Sequence, residues 1–181
     1  MGAPKHQIRL RDGRLMIEHV ADALRYVCSN IVIVDTHRTE PTGDFLSTFH
    51  RVIDRRPQHG PLGGIEALLA SGIDQQYLVC PCDVPRISPR VLRMIAQQRD
   101  SSSAQQPALA TIVQLADRTE PESLPARISA EALPTVRTLL DSGQRSIWRL
   151  MQILPAETVL LPSEWAEHFV NINAPDDLDA L

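Results

Sequence analysis

The chain has 181 residues, a formal net charge of −4 and an isoelectric point near 5.8. A general nucleic-acid binder carries a basic footprint, so this charge argues against that class. No apolar run approaches the roughly 18 residues that cross a bilayer, and residues 1–14 lack the apolar core of a signal peptide. With 43% hydrophobic and 22% charged residues, the composition is ordinary for a globular protein. We expect one domain over residues 1–181.

The three cysteines indicate a reducing compartment. Their count is odd, and Cys80 and Cys82 are nearly adjacent, which is not a disulfide framework, so we predict a cytoplasmic location. Two thiols one residue apart also lack the usual zinc spacing, and no second Cys/His pair accompanies them. We interpret Cys80, at the end of an apolar run, as a small core residue.

The first part of the chain alternates short apolar runs with one helical pattern. Residues 7–10 suggest a brief strand that the turn signal at residues 12–13 closes. Apolar residues between 16 and 27 recur on one helical face. Residues 31–34 (IVIV) are β-branched throughout, which is typical of a strand buried on both faces, and residues 51–54 suggest another short strand.

The same alternation continues to the end of the chain. Ser88 followed by Pro89 is a good helix start, because serine caps and proline fits the first helical position. The other predicted elements are a helix after the glycines at 60–64, strands at 77–80, 108–115, 158–161 and 170–172, helices at 131–140 and 146–154, and a last helix from residue 175.

Alternating strands and helices predict an α/β fold, with a mainly parallel sheet that helices cover on both faces. In such folds, ligands bind beyond the carboxyl ends of the strands. The residues that follow each predicted strand are therefore the candidates for chemistry.

Asp83 is the first such candidate. It follows the strand at 77–80 and stands between Pro81 and Pro85. A carboxylate there can hold Mg²⁺ against phosphate oxygens, because magnesium uses one or two protein carboxylates together with phosphates and waters. A solvated turn carboxylate explains the position equally well.

Three further segments have both a functional and a plain structural interpretation. Residues 59–66 (HGPLGGIE) place three glycines before a helix. The glycines let a ligand approach the backbone closely, and the helix N-terminal amides favour the anionic groups of such a ligand. A simple turn explains these residues too. Asn171 and Asn173 are either polar ligands at a strand end or a strand terminus with an N-cap. Residues 1–5 contain a lysine that, on its own, is merely solvated.

These four segments, in this order, resemble the molybdenum-cofactor guanylyltransferase family, whose motifs are similar to LAGGxSxRMGxDKxL, GPLxGI, PCDxP and NxNTPxDL. The counterparts here are MGxxK at residues 1–5, GPLGGI at 60–65, PCDVP at 81–85 and NINAPDDL at 171–178, and GQRS at 143–146 is similar to a GERS stretch. The resemblance covers essentially the whole chain. It implies a Rossmann-like fold of the nucleotide-diphospho-sugar transferase type.

The resemblance also implies roles for individual residues on the nucleotide side. Lys5 matches the lysine that contacts the nucleotide phosphates, and Asp83 matches the aspartate that binds Mg²⁺ and the nucleotide. We expect these two residues to be catalytic. Asp54 matches an aspartate near the base or ribose, Asp35 falls near an Asn that helps to read the base, and Gly60 belongs to the nucleotide-binding glycine segment.

The implied reaction is transfer of GMP from GTP to the phosphate of molybdopterin, with release of pyrophosphate and with Mg²⁺ as the cofactor. Asn173 lies where the family closes the acceptor side of the site. The expected partners are GTP and the molybdenum cofactor, with no nucleic acid and no membrane. Whether a separate molybdoenzyme chaperone delivers the acceptor stays open.

One departure from the family pattern keeps alternatives open. Pro4 stands where the family has an acid before its lysine, and MGxPK resembles the related cytidylyltransferases that act on the same cofactor. The GPLGG segment favours the guanylyl type. The alternatives are a cytidylyltransferase, a sugar-phosphate nucleotidyltransferase, or a degenerate non-catalytic homologue that lacks the glycine loop.

A second departure concerns the start of the sequence. Residues 1–5 match the middle of the first motif, so the family's first strand, its glycine loop and the loop's arginine have no counterpart in residues 1–181. A sheet without that strand exposes unpaired edges. We therefore expect the gene product to be longer, by roughly 15 to 25 codons of upstream sequence that encode one strand and one loop. The alternatives are a shortened paralogue that binds something else, or a strand supplied by a partner.

Overall fold

The computed structural model describes residues 8–36, 44–98, 107–172 and 177. Within these ranges, the strands are β1 (Val32–Asp35), β2 (His50–Ile53), β3 (Gln76–Val79), β4 (Ala110–Leu115), β5 (Glu122–Ser129) and β6 (Ala156–Leu161). The α-helices are α1 (Met16–Arg25), α2 (Asp44–Ser47), α3 (Pro61–Leu69), α4 (Pro89–Gln97), α5 (Leu133–Asp141) and α6 (Ile147–Ile153). Short 3-10 turns cover Pro57–His59, Ala130–Ala132 and Ser163–Phe169.

The described strands form two sheets. β1 and β2 pair in parallel, and the other four strands form a sheet in the order β3-β5-β4-β6. β6 runs parallel to β4, whereas β5 is antiparallel to both β3 and β4. The α/β prediction is confirmed, and the antiparallel β5 is an addition that the sequence patterns did not predict.

β5 escaped prediction because it contains a proline, which argues against a central strand. The structure shows how Pro125 is accommodated. β5 pairs with β3 through residues 126–129, and its register with β4 shifts between Thr111 and Val113. Pro125 therefore falls in the irregular stretch, where its missing N–H interrupts no regular ladder.

Two predicted strands near the chain ends are wrong. A brief strand was expected over residues 7–10, but in the described part of that range, residues 8–10, only Arg9 pairs, in an isolated bridge to Leu15. Gly13 turns the chain with φ +82° as expected. Residues 170–172 are not a strand, because the Ile172 N–H donates to the carbonyl of Asp83 rather than to a neighbouring strand. The helix expected from residue 175 lies almost wholly outside the described residues.

The core has two layers, one on each face of the four-stranded sheet. β4 shows the division, because Ala110 and Ile112 contribute to one cluster and Val113 and Leu115 to the other, as the alternation of side chains along a strand requires. One cluster packs β3, β4 and β5 against α3, α5 and α6. The other packs the opposite face against α1, α4 and residues 163–169. No helix in the described ranges is long and apolar enough to span a bilayer.

The predicted helix start at Ser88 is confirmed and can be tested. The Ser88 side chain accepts a hydrogen bond from the Val91 N–H at 3.3 Å, at the start of a helix whose Val91, Leu92 and Ile95 are fully buried. We expect Ser88→Ala to lower the free energy of unfolding by about 1 kcal/mol, because it removes the cap. Urea unfolding measures the loss. Ser88→Asp keeps an acceptor and should stay close to wild type, and equal stability of Ser88→Ala and wild type would contradict the capping role.

Candidate active site

Asp35 and Asp54 lie next to each other at the carboxyl ends of β1 and β2. The Asp54 N–H donates to the Asp35 carbonyl at 2.8 Å, which extends the parallel ladder by one bond beyond the last paired residues. The Asp35 carboxylate forms an ion pair with Arg51, and both side chains are largely buried. The structure thus brings together two residues that the sequence placed on the nucleotide side.

The carboxylate of Asp54 packs against the beginning of α3. Asp54 is only 4% exposed, and it accepts a hydrogen bond from the Arg56 N–H at 2.6 Å. A Cβ atom on Gly63 would lie 2.8 Å from the Arg56 carbonyl and 3.1 Å from both Asp54 carboxylate oxygens. This close approach of two backbones around a buried carboxylate requires glycine at position 63.

Gly60 connects the glycine segment to a second family motif. It precedes the first residue of α3 and has φ +64°, a conformation that favours glycine. A Cβ atom there would lie 3.8 Å from the Arg145 carbonyl, so the GPLGGI and GQRS segments are neighbours. The first amides of α3 point out of the helix at this place, where they favour an anion.

A charged network that sequence reasoning missed ties α3 to α5. The Glu66 carboxylate, which is 11% exposed, lies 3.0 Å from Arg137 Nε and 3.6 Å from Arg56 Nε. Arg56 also donates to Asp141 at 2.7 Å, and this bond raises the pKa of the Arg56 guanidinium above its usual value. A charged side chain inside the otherwise apolar α3 pattern was the signal that such a partner exists.

Asp83 lies in a second part of the site, after β3. Asp83 is half-buried, and its backbone carbonyl accepts the Ile172 N–H at 2.8 Å. The PCDVP segment and the beginning of the NIN segment, 89 positions apart, therefore meet as the family resemblance implies. Two other predicted site residues, Lys5 and Asn173, lie outside the described residues.

Cys80, interpreted from the sequence as a small core residue, is partly buried at the edge of the core. It packs against the cluster that contains α1 and α4. Burial raises the pKa of the Cys80 thiol far above its usual value, and the nearby Cys82, Asp83 and Cys28 raise it further. Cys80 is therefore a protonated, apolar neighbour of Asp83 at neutral pH.

Asp83 offers one carboxylate after β3, an oxygen donor of the kind that magnesium prefers. The described ranges contain no group of three or more His, Cys, Asp or Glu side chains that would hold a metal by themselves. Magnesium does not need such a group when phosphates and waters supply most of its ligands. A single aspartate after a strand is therefore a sufficient protein contribution.

An α/β fold with acidic and glycine-rich segments at the carboxyl ends of its strands defines a nucleotide-binding α/β protein. The family described as "MobA-like NTP transferase domain" matches residues 1–164. The chain belongs to this family and is a nucleotidyltransferase.

The similar proteins agree with this assignment. A probable molybdenum cofactor guanylyltransferase of Deinococcus radiodurans is 30% identical over 177 residues, which are 96% of this chain and 83% of the relative. The corresponding protein of Rhodopirellula baltica is 25% identical, over 98% of this chain and 83% of its own. The crystal structure of molybdopterin-guanine dinucleotide biosynthesis protein A from Archaeoglobus fulgidus has the same fold, with a TM-score of 0.75 at 24% identity, covering 99% of this chain and 89% of its own.

The packing around Asp54 predicts opposite tolerance at two adjacent glycines. Gly63→Ala should lower the free energy of unfolding by about 1 to 3 kcal/mol, because its methyl group meets backbone and a buried carboxylate that cannot move away. Gly64→Ala is the matched control, since its Cβ would lie 3.3 Å from Val34 Cγ1, a side-chain atom that can shift. There the gain in helix propensity, at most about 1 kcal/mol, offsets the contact. Thermal unfolding of both variants makes the comparison, and equal losses would contradict the close approach at Gly63.

Proposed function

We propose that this protein transfers GMP from GTP to the phosphate of molybdopterin and releases pyrophosphate. The observation that carries the proposal is the pairing of distant motifs at the carboxyl ends of the strands. GPLGGI lies beside GQRS, and PCDVP is hydrogen-bonded to the NIN segment. The relatives that match nearly the whole chain are named molybdenum cofactor guanylyltransferases, which supports the choice of substrates.

The donor nucleotide is assigned to the half of the site that β1, β2 and α3 form. Guanine presents two adjacent N–H donors on its Watson–Crick edge, and a carboxylate accepts both. Asp35 supplies such a carboxylate, held in place by Arg51. Asp54 fixes the glycine segment, and the backbone at Gly60 and the first turn of α3 are suited to approach the ribose and phosphates.

Transfer needs no protein nucleophile. An oxygen of the acceptor phosphate attacks the α-phosphorus of GTP in line, and the bond to pyrophosphate breaks. A Mg²⁺ ion bound through Asp83 would offset charge on the phosphates. We assign Lys5 a second positive contact with the same phosphates. Asp83 is suited to this role because its position is fixed by the bond to Ile172 and by its buried neighbours Val84 and Pro85.

The acceptor is assigned to the side of Asp83 where residues 171–172 approach it, and Asn173 follows directly in the sequence. We keep molybdopterin as the acceptor and a chaperone as a further partner to be tested. A cytoplasmic location, expected from three cysteines that are all free thiols, also stays a prediction.

The role of Asp83 predicts a loss of catalysis without a loss of folding. At fixed Mg²⁺, we expect Asp83→Asn and Asp83→Ala to lower turnover by about a hundredfold or more, because a lost metal ligand costs several kcal/mol in the transition state. Unfolding temperatures should change little. Asp74→Asn is the matched control, since Asp74 precedes the amino end of β3 whereas Asp83 follows its carboxyl end. Wild-type turnover by either Asp83 variant contradicts the assignment.

The choice of base predicts selective protection by GTP. A ligand at about 100 times its dissociation constant stabilises the folded state by roughly 2.7 kcal/mol, so GTP with Mg²⁺ should raise the unfolding temperature of the protein while CTP does not. Asp35→Asn should reduce the difference, because an amide offers only one acceptor oxygen to the guanine edge. Equal protection by CTP would favour a cytidylyltransferase instead.

A further inference from the structure

A cavity lies at the end of the four-stranded sheet that is opposite to Asp83. Its volume is about 400 Å³, which is typical of cavities that bind small molecules. The first residue of β3, the end of β5, the last turn of α4 and residues 107–109 before β4 bound it. Since Asp83 follows the carboxyl end of β3, this cavity is separate from the candidate active site. We call it the amino-end cavity.

The lining of the amino-end cavity is mainly polar and carries one charge of each sign. Among the described lining residues, the charged ones are Arg127 and Glu131. The uncharged polar residues of the lining are Gln76, Gln97, Gln98 and Ser129. Because the carboxylate of Glu131 repels further negative charge, the cavity does not suit a polyphosphate. It suits a small ligand that carries both an anionic group and a hydrogen-bond donor.

Arg127 is fixed at the base of the cavity by its place in the sheet. It lies in β5 and pairs with Leu78 of β3 on one side and with Thr111 of β4 on the other. Cross-strand partners point to the same face of a sheet, and Leu78 packs on the core cluster that contains α4. The guanidinium of Arg127 therefore lies under α4, where it donates to the Ala96 carbonyl at 3.4 Å.

The guanidinium of Arg127 has few partners for its hydrogen-bond donors. A distance of 3.4 Å is longer than the roughly 2.7 to 3.2 Å of ordinary N–H···O bonds. Among the described residues, no carboxylate pairs with Arg127, whereas Arg51, Arg56 and Arg137 each pair with one. The buried Thr111 hydroxyl beside it also finds no partner in the described ranges. A partly buried cation without a counter-ion costs free energy, which an anion in the cavity would offset.

We propose that the amino-end cavity binds a small amino acid or hydroxy acid whose carboxylate pairs with Arg127. A planar carboxylate matches the guanidinium through parallel hydrogen bonds. Glu131 accepts a hydrogen bond from the ammonium or hydroxyl group of the same molecule. The glutamine amides of the lining, which both donate and accept, contact its remaining polar atoms.

The ligand is bound away from the reacting atoms of the proposed transfer. β3 begins at Gln76 in the cavity and ends just before the PCDVP segment, and α4 begins at Pro89, soon after that segment, and ends in the cavity. The ligand thus contacts both elements that flank Asp83 without reaching it. Its binding can be measured without nucleotide or acceptor, so a failure of this proposal is distinct from a failure of the proposed function.

The first experiment is isothermal titration calorimetry of the protein in the absence of nucleotide, acceptor and Mg²⁺. The probes are the common amino acids, lactate, malate, inorganic phosphate and pyrophosphate. We expect at least one amino or hydroxy acid to bind with a dissociation constant below about 1 mM. The proposal is overturned if none of them binds, or if phosphate or pyrophosphate binds more tightly than every carboxylate.

The second experiment places the binding in the cavity through variants. Arg127→Met removes the charge and Arg127→Lys keeps it but loses the planar fork, so both should weaken binding, the first by at least about tenfold. Arg93→Met is the matched control, because Arg93 is an exposed residue of α4 that does not line the cavity. Wild-type affinity in Arg127→Met would show that the ligand binds elsewhere, which overturns the proposal.

The role of Glu131 gives a test that does not depend on changing the central strand. Glu131→Gln should weaken binding of the ligand but not of the analogue that lacks its amino or hydroxyl group. Equal affinity of Glu131→Gln and wild type for the ligand overturns the proposal, also where Arg127→Met does not fold. A guanidinium that only caps the end of α4 predicts a lower unfolding temperature for Arg127→Met and no protection of the wild type by any probe. That pair of results overturns the proposal as well.

Discussion

The half of the site proposed for the donor nucleotide depends on the contact between the Asp54 carboxylate and the backbone of α3. One buried side chain receives the Arg56 N–H, and its own backbone N–H bonds to Asp35. It also lies against Gly63 with no room for a side chain between them. The end of β1, the end of β2 and the first turn of α3 are thereby fixed relative to one another. Burying a carboxylate costs free energy unless it is hydrogen-bonded. The hydrogen bond from the Arg56 N–H therefore offsets part of the cost of burying Asp54.

Charge in this region serves structure as much as binding. The chain is acidic overall, with a net charge of −4, yet arginines cluster around the glycine segment. Arg51 is paired with Asp35, and Arg56 is shared between Glu66 and Asp141. The Arg51 pair joins β2 to β1, and the Arg56 pairs link the segment after β2 to α3 and α5. The net charge of the chain therefore does not predict whether it binds a polyanionic nucleotide. The local electrostatic potential, which the paired arginines and the helix amides set, determines such binding.

The sequence predicts what depends on local pattern and misses what depends on distant contacts. The helix start at Ser88, the apolar run of β1 and the motif positions of Asp54 and Asp83 all follow from residues close in sequence. β5 was missed because Pro125 argues against a strand. The proline is tolerated because it lies in the stretch of β5 where the register with β4 shifts and pairing with β3 has not begun. Asp54 contacts Gly63, and Glu66 pairs with Arg137. Neither contact could be predicted, because the distance in sequence between these residues does not indicate that they meet.

The two sheets differ in how they are supported, and this difference bears on the site. The four-stranded sheet has a core cluster on each face, so the position of Asp83 at its edge rests on a complete sandwich of helices. Among the described strands, β1 and β2 pair only with each other. A two-stranded ribbon is marginally stable by itself. Its contact with α3, through Val32 and Val34 packed on the cluster that contains Leu62 and Leu68, is therefore what holds Asp35 and Asp54 in position.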